Sequence, residues 1–268
     1  MSRETRSLEF SLTIEATPEE LWLAITEAKG ITRWFAPEAR VTPGLGGTVL
    51  LSWGPGMEGE APITAWESAR RFAWTERADT DAPRVVEFTI EAADGGCTVL
   101  RLVHSGFGID SASDSEYDST SGGWQSFLQL LRLDLEAYRG LRGRHVFRMK
   151  MGAGERQSVE ESILRAMAFQ RDGDAYSAQL ADDRPIQGKV LFERAPGYLI
   201  LTLEGQIRGA LALFAENCGG DTSLTTSWYL KGEAAGRAEE IGVAWDGVLA
   251  RAAAMQDGLA PTYVTQSD

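Results

Sequence analysis

The chain is poor in the residues that most often carry chemistry. Its 268 residues include two cysteines and two histidines. Cys97 and Cys218 cannot form a metal site alone, and neither lies in a CxxC pair. Both are expected to be free thiols in a reducing compartment. No HExxH or GxSxG sequence accompanies His104 or His145. No apolar run approaches the roughly 20 residues that a membrane-spanning helix needs. Met1 to Arg6 has no apolar core of a secretory signal, so the expected setting is cytoplasmic. Basic residues are also short, with 26 Lys and Arg against 39 Asp and Glu and a net charge of −13. Such a balance argues against nucleic acid or an anionic membrane as partner, because phosphate binding depends on clustered Lys and Arg.

What is present is a globular composition, 43% hydrophobic, with eight tryptophans. Leu8, Phe10, Leu12 and Ile14 alternate with polar residues, which predicts a half-buried strand. Thr17, Pro18 and Glu20 then have the spacing of a capping box with proline at the first helical position. The helix is expected to carry Leu21, Trp22 and Ile25 inward and to end at Lys29-Gly30, with one further turn over 31–35. Short strands are expected near 46–53, 59–67, 70–77, 83–91 and 97–105. The last of these places His104 on the same inward face as Leu100 and Leu102. Residues 109–123, rich in Ser, Asp and Gly, read as a loop. Trp124, Phe127, Leu128, Leu131, Leu135 and Tyr138 then follow helical spacing, which predicts a long amphipathic helix opened by Gly122-Gly123.

After Gly140-Leu141-Arg142-Gly143 the layout begins again. A first strand is expected at 145–151, with His145 exposed, and a second capping box at Ser158 and Glu161. Four strands are expected between 187 and 230, and a closing helix over 235–254 in which Trp245 answers Trp124. This near-register predicts an internal duplication of about 125 residues, with domains at 1–141 and 142–268.

Three motif-like features have plainer readings. Gly54-Pro55-Gly56-Met57-Glu58-Gly59 matches GxGxxG, but a strand rather than a helix is expected after it, so it reads as a hairpin turn. Asp114, Glu116 and Asp118 alternate like calcium ligands, yet the glycine and closing glutamate of that loop are missing. No metal or cofactor is therefore expected. His104 is the only candidate for acid–base work, and an interior structural histidine is the plainer assignment.

Ala16-Thr17-Pro18-Glu19-Glu20-Leu21-Trp22, Trp34-Phe35-Ala36-Pro37 and Gly122-Gly123-Trp124 together resemble the helix-grip superfamily of START and birch-pollen-allergen-like domains, called SRPBCC. Within it they look most like the activator-of-heat-shock-chaperone-ATPase-like group. The resemblance covers about residues 7–140. It implies an α+β helix-grip fold, in which a curved antiparallel sheet wraps a long C-terminal helix around a cavity, here in two tandem copies. The second half has no Trp-Phe-x-Pro segment and is expected to be a shortened, degenerate copy with fewer strands.

The function expected is binding of a small hydrophobic molecule, a lipid or an aromatic, polyketide-like compound, in the first copy. Trp34, Phe35, Trp53, Trp66, Trp74, Phe88, His104, Trp124, Phe127 and Leu131 are the residues expected to line the cavity or its mouth. A cyclase- or hydrolase-like enzyme using His104 is the alternative. The resemblance also implies a chaperone partner as a further possibility.

Overall fold

A computed structural model describes residues 4–80, 82–152, 154–218, 221–255 and 263–266. The chain divides into two compact units, Met1–Arg139 and Gly140–Asp268. Both are α+β, each built on one antiparallel sheet with helices.

The first unit runs β1 (Thr5–Ile14), α1 (Pro18–Thr26), α2 (Ala28–Ile31), β2 (Glu38–Val41), β3 (Thr48–Ser52), β4 (Glu58–Glu67), β5 (Arg71–Glu76), β6 (Arg84–Ala92), β7 (Thr98–Gly108) and α3 (Asp114–Ala137). Its seven strands lie in the order β1-β7-β6-β5-β4-β3-β2. Only β1 departs from a simple meander, crossing over to pair with β7.

The capping box forms as its spacing requires. Thr17 Oγ1 accepts the Glu20 amide at 3.2 Å, and the Glu20 carboxylate accepts the Thr17 amide at 2.9 Å. The helix it starts stops earlier than its apolar stripe suggests. Glu27 adopts extended backbone, and the chain resumes as the short α2, with Gly30 packed where a Cβ would lie 2.3 Å from the Leu23 carbonyl oxygen. That close approach turns Trp34 and Phe35 back toward α1.

The Ser- and Asp-rich stretch before Trp124 is not a loop. Helix α3 begins at Asp114, and Gly122-Gly123 lies inside it. Tertiary charge pairing outweighs the poor helix propensity of the segment. Asp110 caps the preceding turn through Ser113, Asp114 pairs with Arg6, and Glu116 pairs with Arg77 and Arg84. Acidic residues in a first helical turn also suit the positive helix end. These contacts absorb Asp114 and Glu116, and no group of three metal-ligating side chains occurs among the described residues.

The second unit runs β8 (Gly143–Gly152), α4 (Arg156–Ala166), β9 (Gln170–Asp172), β10 (Ala175–Gln179), β11 (Pro185–Arg194), β12 (Tyr198–Leu203), β13 (Gly209–Cys218), β14 (Asp221–Lys231), α5 (Ala238–Met255) and β15 (Tyr263–Gln266). Eight strands form its sheet, where fewer than in the first copy were expected. The short strands β9 and β10 and the final β15 carry too little alternation to be read from sequence. Ser158 does not cap α4. Glu155 precedes the helix, and no side chain caps its end. His145, expected in water, is 1% exposed and packs on the Tyr229 ring at 4.3 Å between centroids. It shares a strand face with Phe147, and burial there overrides its proximity to two arginines. Cys97 is a free thiol, and the Cys218 side chain lies outside the described residues. No described helix is long and apolar enough to cross a membrane.

One backbone feature positions the site. Gly106 is an extra residue in β7, because Arg6 pairs with Phe107 while Ser7 pairs with Ser105. This bulge puts both His104 and Phe107 on the inner face, where strict alternation would allow only one. Gly106 has φ of +95°, and a Cβ there would lie 2.4 Å from the Pro83 carbonyl oxygen. Gly106→Ala is expected to destabilise the protein by at least about 2 kcal/mol, through strain and clash together. Urea denaturation checks it, and an unchanged midpoint would show that the bulge is not needed.

Candidate functional site

Phe35 sits inside an enclosure of other rings. Its ring stacks on Trp34 at 5.1 Å and 19°, and on Trp124 of α3 at 5.2 Å and 23°. Trp53, from the β3–β4 turn, meets its edge at 5.4 Å, and Phe127 does so at 4.7 Å. Offset stacks and edge-to-face contacts are the arrangements the ring quadrupole favours. The two stacking partners are themselves fixed. Trp34, 2% exposed, donates its indole N–H to the Ala24 carbonyl at the end of α1 at 3.0 Å. Trp124 donates to His104 Nδ1 at 3.0 Å.

Behind Phe35 lies a void of about 10 Å³, lined by Ile25, Ile31, Trp34, Phe35, Val49, Leu51, Trp74 and Phe88. That is room for about one water. The space between Phe35 and the sheet is therefore closely packed.

The expected lining residues fall into three places. Trp34, Phe35, Trp53, Trp74, Phe88, His104, Trp124 and Phe127 form one continuous cluster, with Phe88 joining Trp74 at 5.7 Å to Trp124 at 5.9 Å. Trp66 lies at the edge of this cluster, edge-on to Trp22 at 5.1 Å and to Phe72 at 5.5 Å, with Phe72 in turn 5.4 Å from Trp74. Leu131 is fully buried on α3. Trp34 and Phe35 are both buried in the core.

Sequence reasoning missed the residues that hold this arrangement. Arg33 makes a two-pronged ion pair with Asp134 of α3, at 2.8 and 2.9 Å, and donates to the Tyr138 carbonyl at 3.1 Å. Asp134 is 4% exposed, so the pair is largely withdrawn from water. Such a pair fixes geometry more surely than it adds stability. The signal available was Arg33 beside the Trp-Phe pair and an aspartate on the apolar stripe of a helix.

A polar cluster adjoins the aromatic one at the N-terminal end of α3. Arg84, half-sandwiched over the Phe107 ring at 4.2 Å, grips Glu116 with both guanidinium nitrogens, and Arg77 joins at 3.0 Å. Burial works against ionisation of Glu116, but the Arg84 hydrogen bonds and the two arginine charges outweigh it and hold its carboxyl below its ordinary value. Glu76 accepts the Trp74 indole N–H at 3.3 Å and stands 3.8 Å from His104 Nε2. Burial pushes the Glu76 carboxyl up, against the Trp74 hydrogen bond and the charges of Arg84 and Arg77.

His104 is 4% exposed, and its pKa is pushed down to about 4. Burial is the main cause, followed by the Arg84 charge. Glu116 opposes the shift and Arg77 adds to it. The imidazole is thus neutral at pH 7. Because an indole N–H only donates, Nδ1 is the acceptor and the proton sits on Nε2. In this form His104 offers a hydrogen-bond donor and no free base.

The unfolded chain takes up the His104 proton near pH 6.5, the folded chain only near pH 4. Stability from this group is full above 6.5 and is lost as pH falls toward 4, by about 3 kcal/mol at most. His104→Gln is expected to flatten that part of the stability curve. Thermal melts of both proteins between pH 7 and 4 check it, and parallel curves would remove the buried neutral imidazole as the cause.

Residues 15–136 match the family model described as "Activator of Hsp90 ATPase homolog 1-like protein". No curated protein matches the chain. Among solved structures, the Aha1 dimer from Colwellia psychrerythraea is 20% identical, over 50% of this chain and 99% of that one, with a TM-score of 0.45. CalU16 from Micromonospora echinospora is 24% identical, over 50% of this chain and 78% of that one, with a TM-score of 0.40. The di-domain ARO/CYC BexL from the BE-7585A biosynthetic pathway is 10% identical, over 96% of this chain and 100% of that one, with a TM-score of 0.44. The family match lies within the residues whose motifs carry the resemblance, and it is the first unit of the chain that is similar to this family.

Proposed function

We propose that the first unit binds a flat, apolar small molecule in the place that the Phe35 ring occupies. The observation that carries this reading is the enclosure itself. Two indoles lie parallel to one ring, two further aromatic rings close its edges, and the ring comes from the short segment after α2 rather than from the sheet. A box of this kind suits any planar apolar group, because stacking and burial are sequence-independent. Trp34, Trp53, Trp74, Phe88, Trp124 and Phe127 are its walls in this reading. The sheet of the first unit then serves as the curved wrap of a helix-grip fold around α3. The second unit is a tandem copy, with the change-over between domains at Leu141 and Arg142.

Binding requires Phe35 to leave. Withdrawing a buried phenylalanine costs about 3 kcal/mol, so the box is open in only about one molecule in a hundred and apparent affinity falls by the same factor. A binding protein can in this way keep its own ring in the site until a ligand replaces it. No observation favours turnover: the one histidine in the cluster holds its proton on the nitrogen that faces Glu76, and its other nitrogen is engaged by Trp124.

Phe35→Ala removes the internal occupant and, together with the void behind it, opens a dry apolar cavity on the order of 150 Å³, the size that admits a small aromatic molecule. The variant is expected to lose about 3 kcal/mol of stability and to bind naphthalene up to about a hundredfold more tightly than the parent. Quenching of tryptophan fluorescence by added naphthalene measures it. A variant that folds and binds no better than the parent would overturn the reading.

A further inference from the structure

His104 carries a hydrogen-bond donor for which the described structure provides no acceptor within reach. Nε2 is buried and has no hydrogen-bond partner. The Glu76 carboxylate stands 3.8 Å away, beyond hydrogen-bond range. Glu76 is held in turn by the Trp74 indole, and Trp74 lines the void behind Phe35. A donor and an acceptor therefore face each other across a narrow gap at the edge of the aromatic box. Trp124 is the shared wall, since its face stacks on Phe35 while its N–H edge engages His104.

A hydroxyl group matches both sides of such a gap in hydrogen-bonding character. Its oxygen accepts from Nε2–H, and its hydrogen goes to the carboxylate. An ether or ketone oxygen satisfies His104 alone. A ligand carboxylate meets the Glu76 charge and is repelled. We propose that the site selects flat aromatic molecules that carry a hydroxyl, with the hydroxyl bridging His104 Nε2 and Glu76. This rests on the reading that a ring replaces Phe35, which brings the ligand alongside Trp124.

The geometry asks for one adjustment. Two groups bridged by a hydroxyl stand about 4.5 to 5.5 Å apart, so the Glu76 carboxylate has to swing outward by about 1 Å. Its side chain is 40% exposed at the end of β5 and has room to do so. His104 does not move, because Trp124 and the Phe107 ring at 4.7 Å fix it. The buried arginine beside them supports the ionised acceptor. Arg84 lies close enough to Glu76 to favour its charge against the effect of burial.

The test compares naphthalene, 2-methoxynaphthalene, 2-naphthol and 2-naphthoate by tryptophan quenching on the full chain, with the Glu76→Leu and His104→Phe variants beside it. The parent is expected to bind 2-naphthol about tenfold more tightly than naphthalene, with the methoxy compound between them and the carboxylate weakest. Glu76→Leu should reduce 2-naphthol to the level of the methoxy compound. His104→Phe should remove the preference altogether. Glu76 is at the surface end, so its variant reports even where loss of His104 impairs folding. Equal binding of naphthalene and 2-naphthol to the parent, unchanged in Glu76→Leu, would overturn the hydroxyl bridge while leaving the aromatic box intact. Failure of all four probes on both the parent and Phe35→Ala would overturn the box, and the bridge with it.

Discussion

The arrangement in the first unit depends on the hydrogen bond from Trp124 to His104. It crosses from the long helix to the last strand of the meander, at 3.0 Å. An indole on a helix has two torsions and many orientations. With its N–H committed to a strand residue, the plane of the ring is set, and so is the surface against which Phe35 stacks. The same bond decides the protonation of the imidazole, because Nδ1 can accept only when the proton sits on Nε2. One contact thus fixes a wall, a tautomer and a donor. Gly106 permits it: without the bulge, His104 and Phe107 could not both face α3, and the imidazole would lose the ring that braces its far side.

Charges at the neighbouring end of the sheet follow a consistent logic. Arg84 is 6% exposed, a costly position for a guanidinium unless its donors are met. Glu116 meets them from the first turn of α3, and the Phe107 ring lies under the guanidinium plane. The cluster therefore holds the start of α3 onto β6 and holds His104 neutral through burial and the nearby positive charge. Arg33 and Asp134 do the same further along the helix, where they tie the segment carrying Trp34 and Phe35 to α3. Along α3, the box residues Trp124 and Phe127 lie between Glu116 and Asp134 of these two ion pairs.

Much of this was legible in the sequence, and the reasons divide cleanly. The capping box, the inward face of β7 and the family motifs are local patterns, and local patterns survive in any tertiary setting. The start of α3 was not legible, because Asp114 to Gly123 has poor helix propensity and is held by Arg6, Arg77 and Arg84, residues far away in the chain. His145 was misplaced for a related reason, since its burial comes from a neighbouring strand that alternation cannot see. Phe35 was legible as an interesting residue, yet its role as occupant was not. A sequence shows that aromatic side chains are plentiful, but only packing shows that one of them fills the space made by the rest.

The second unit repeats the central contact with different chemistry. Trp245 of α5 donates its indole N–H to Thr226 of β14 at 2.8 Å, as Trp124 does to His104 of β7. A hydroxyl accepts there as well as an imidazole does, and the buried ring N–H without a hydrogen-bond partner is then that of Trp228 rather than that of a histidine. Two residues further along the strand the units part again. The first has Gly106, which brings in Phe107 beside the imidazole. The second has Trp228, fully buried and edge-on to Trp245 at 5.2 Å. An indole rooted in a ten-residue strand pairing cannot swing out as a side chain after a one-turn helix can. In the second unit the ring against the helix tryptophan is rooted in a strand, and in the first the ring stacked on it follows a one-turn helix. The difference between them lies in what anchors the filling ring, which is why the binding reading is confined to the unit that carries Phe35.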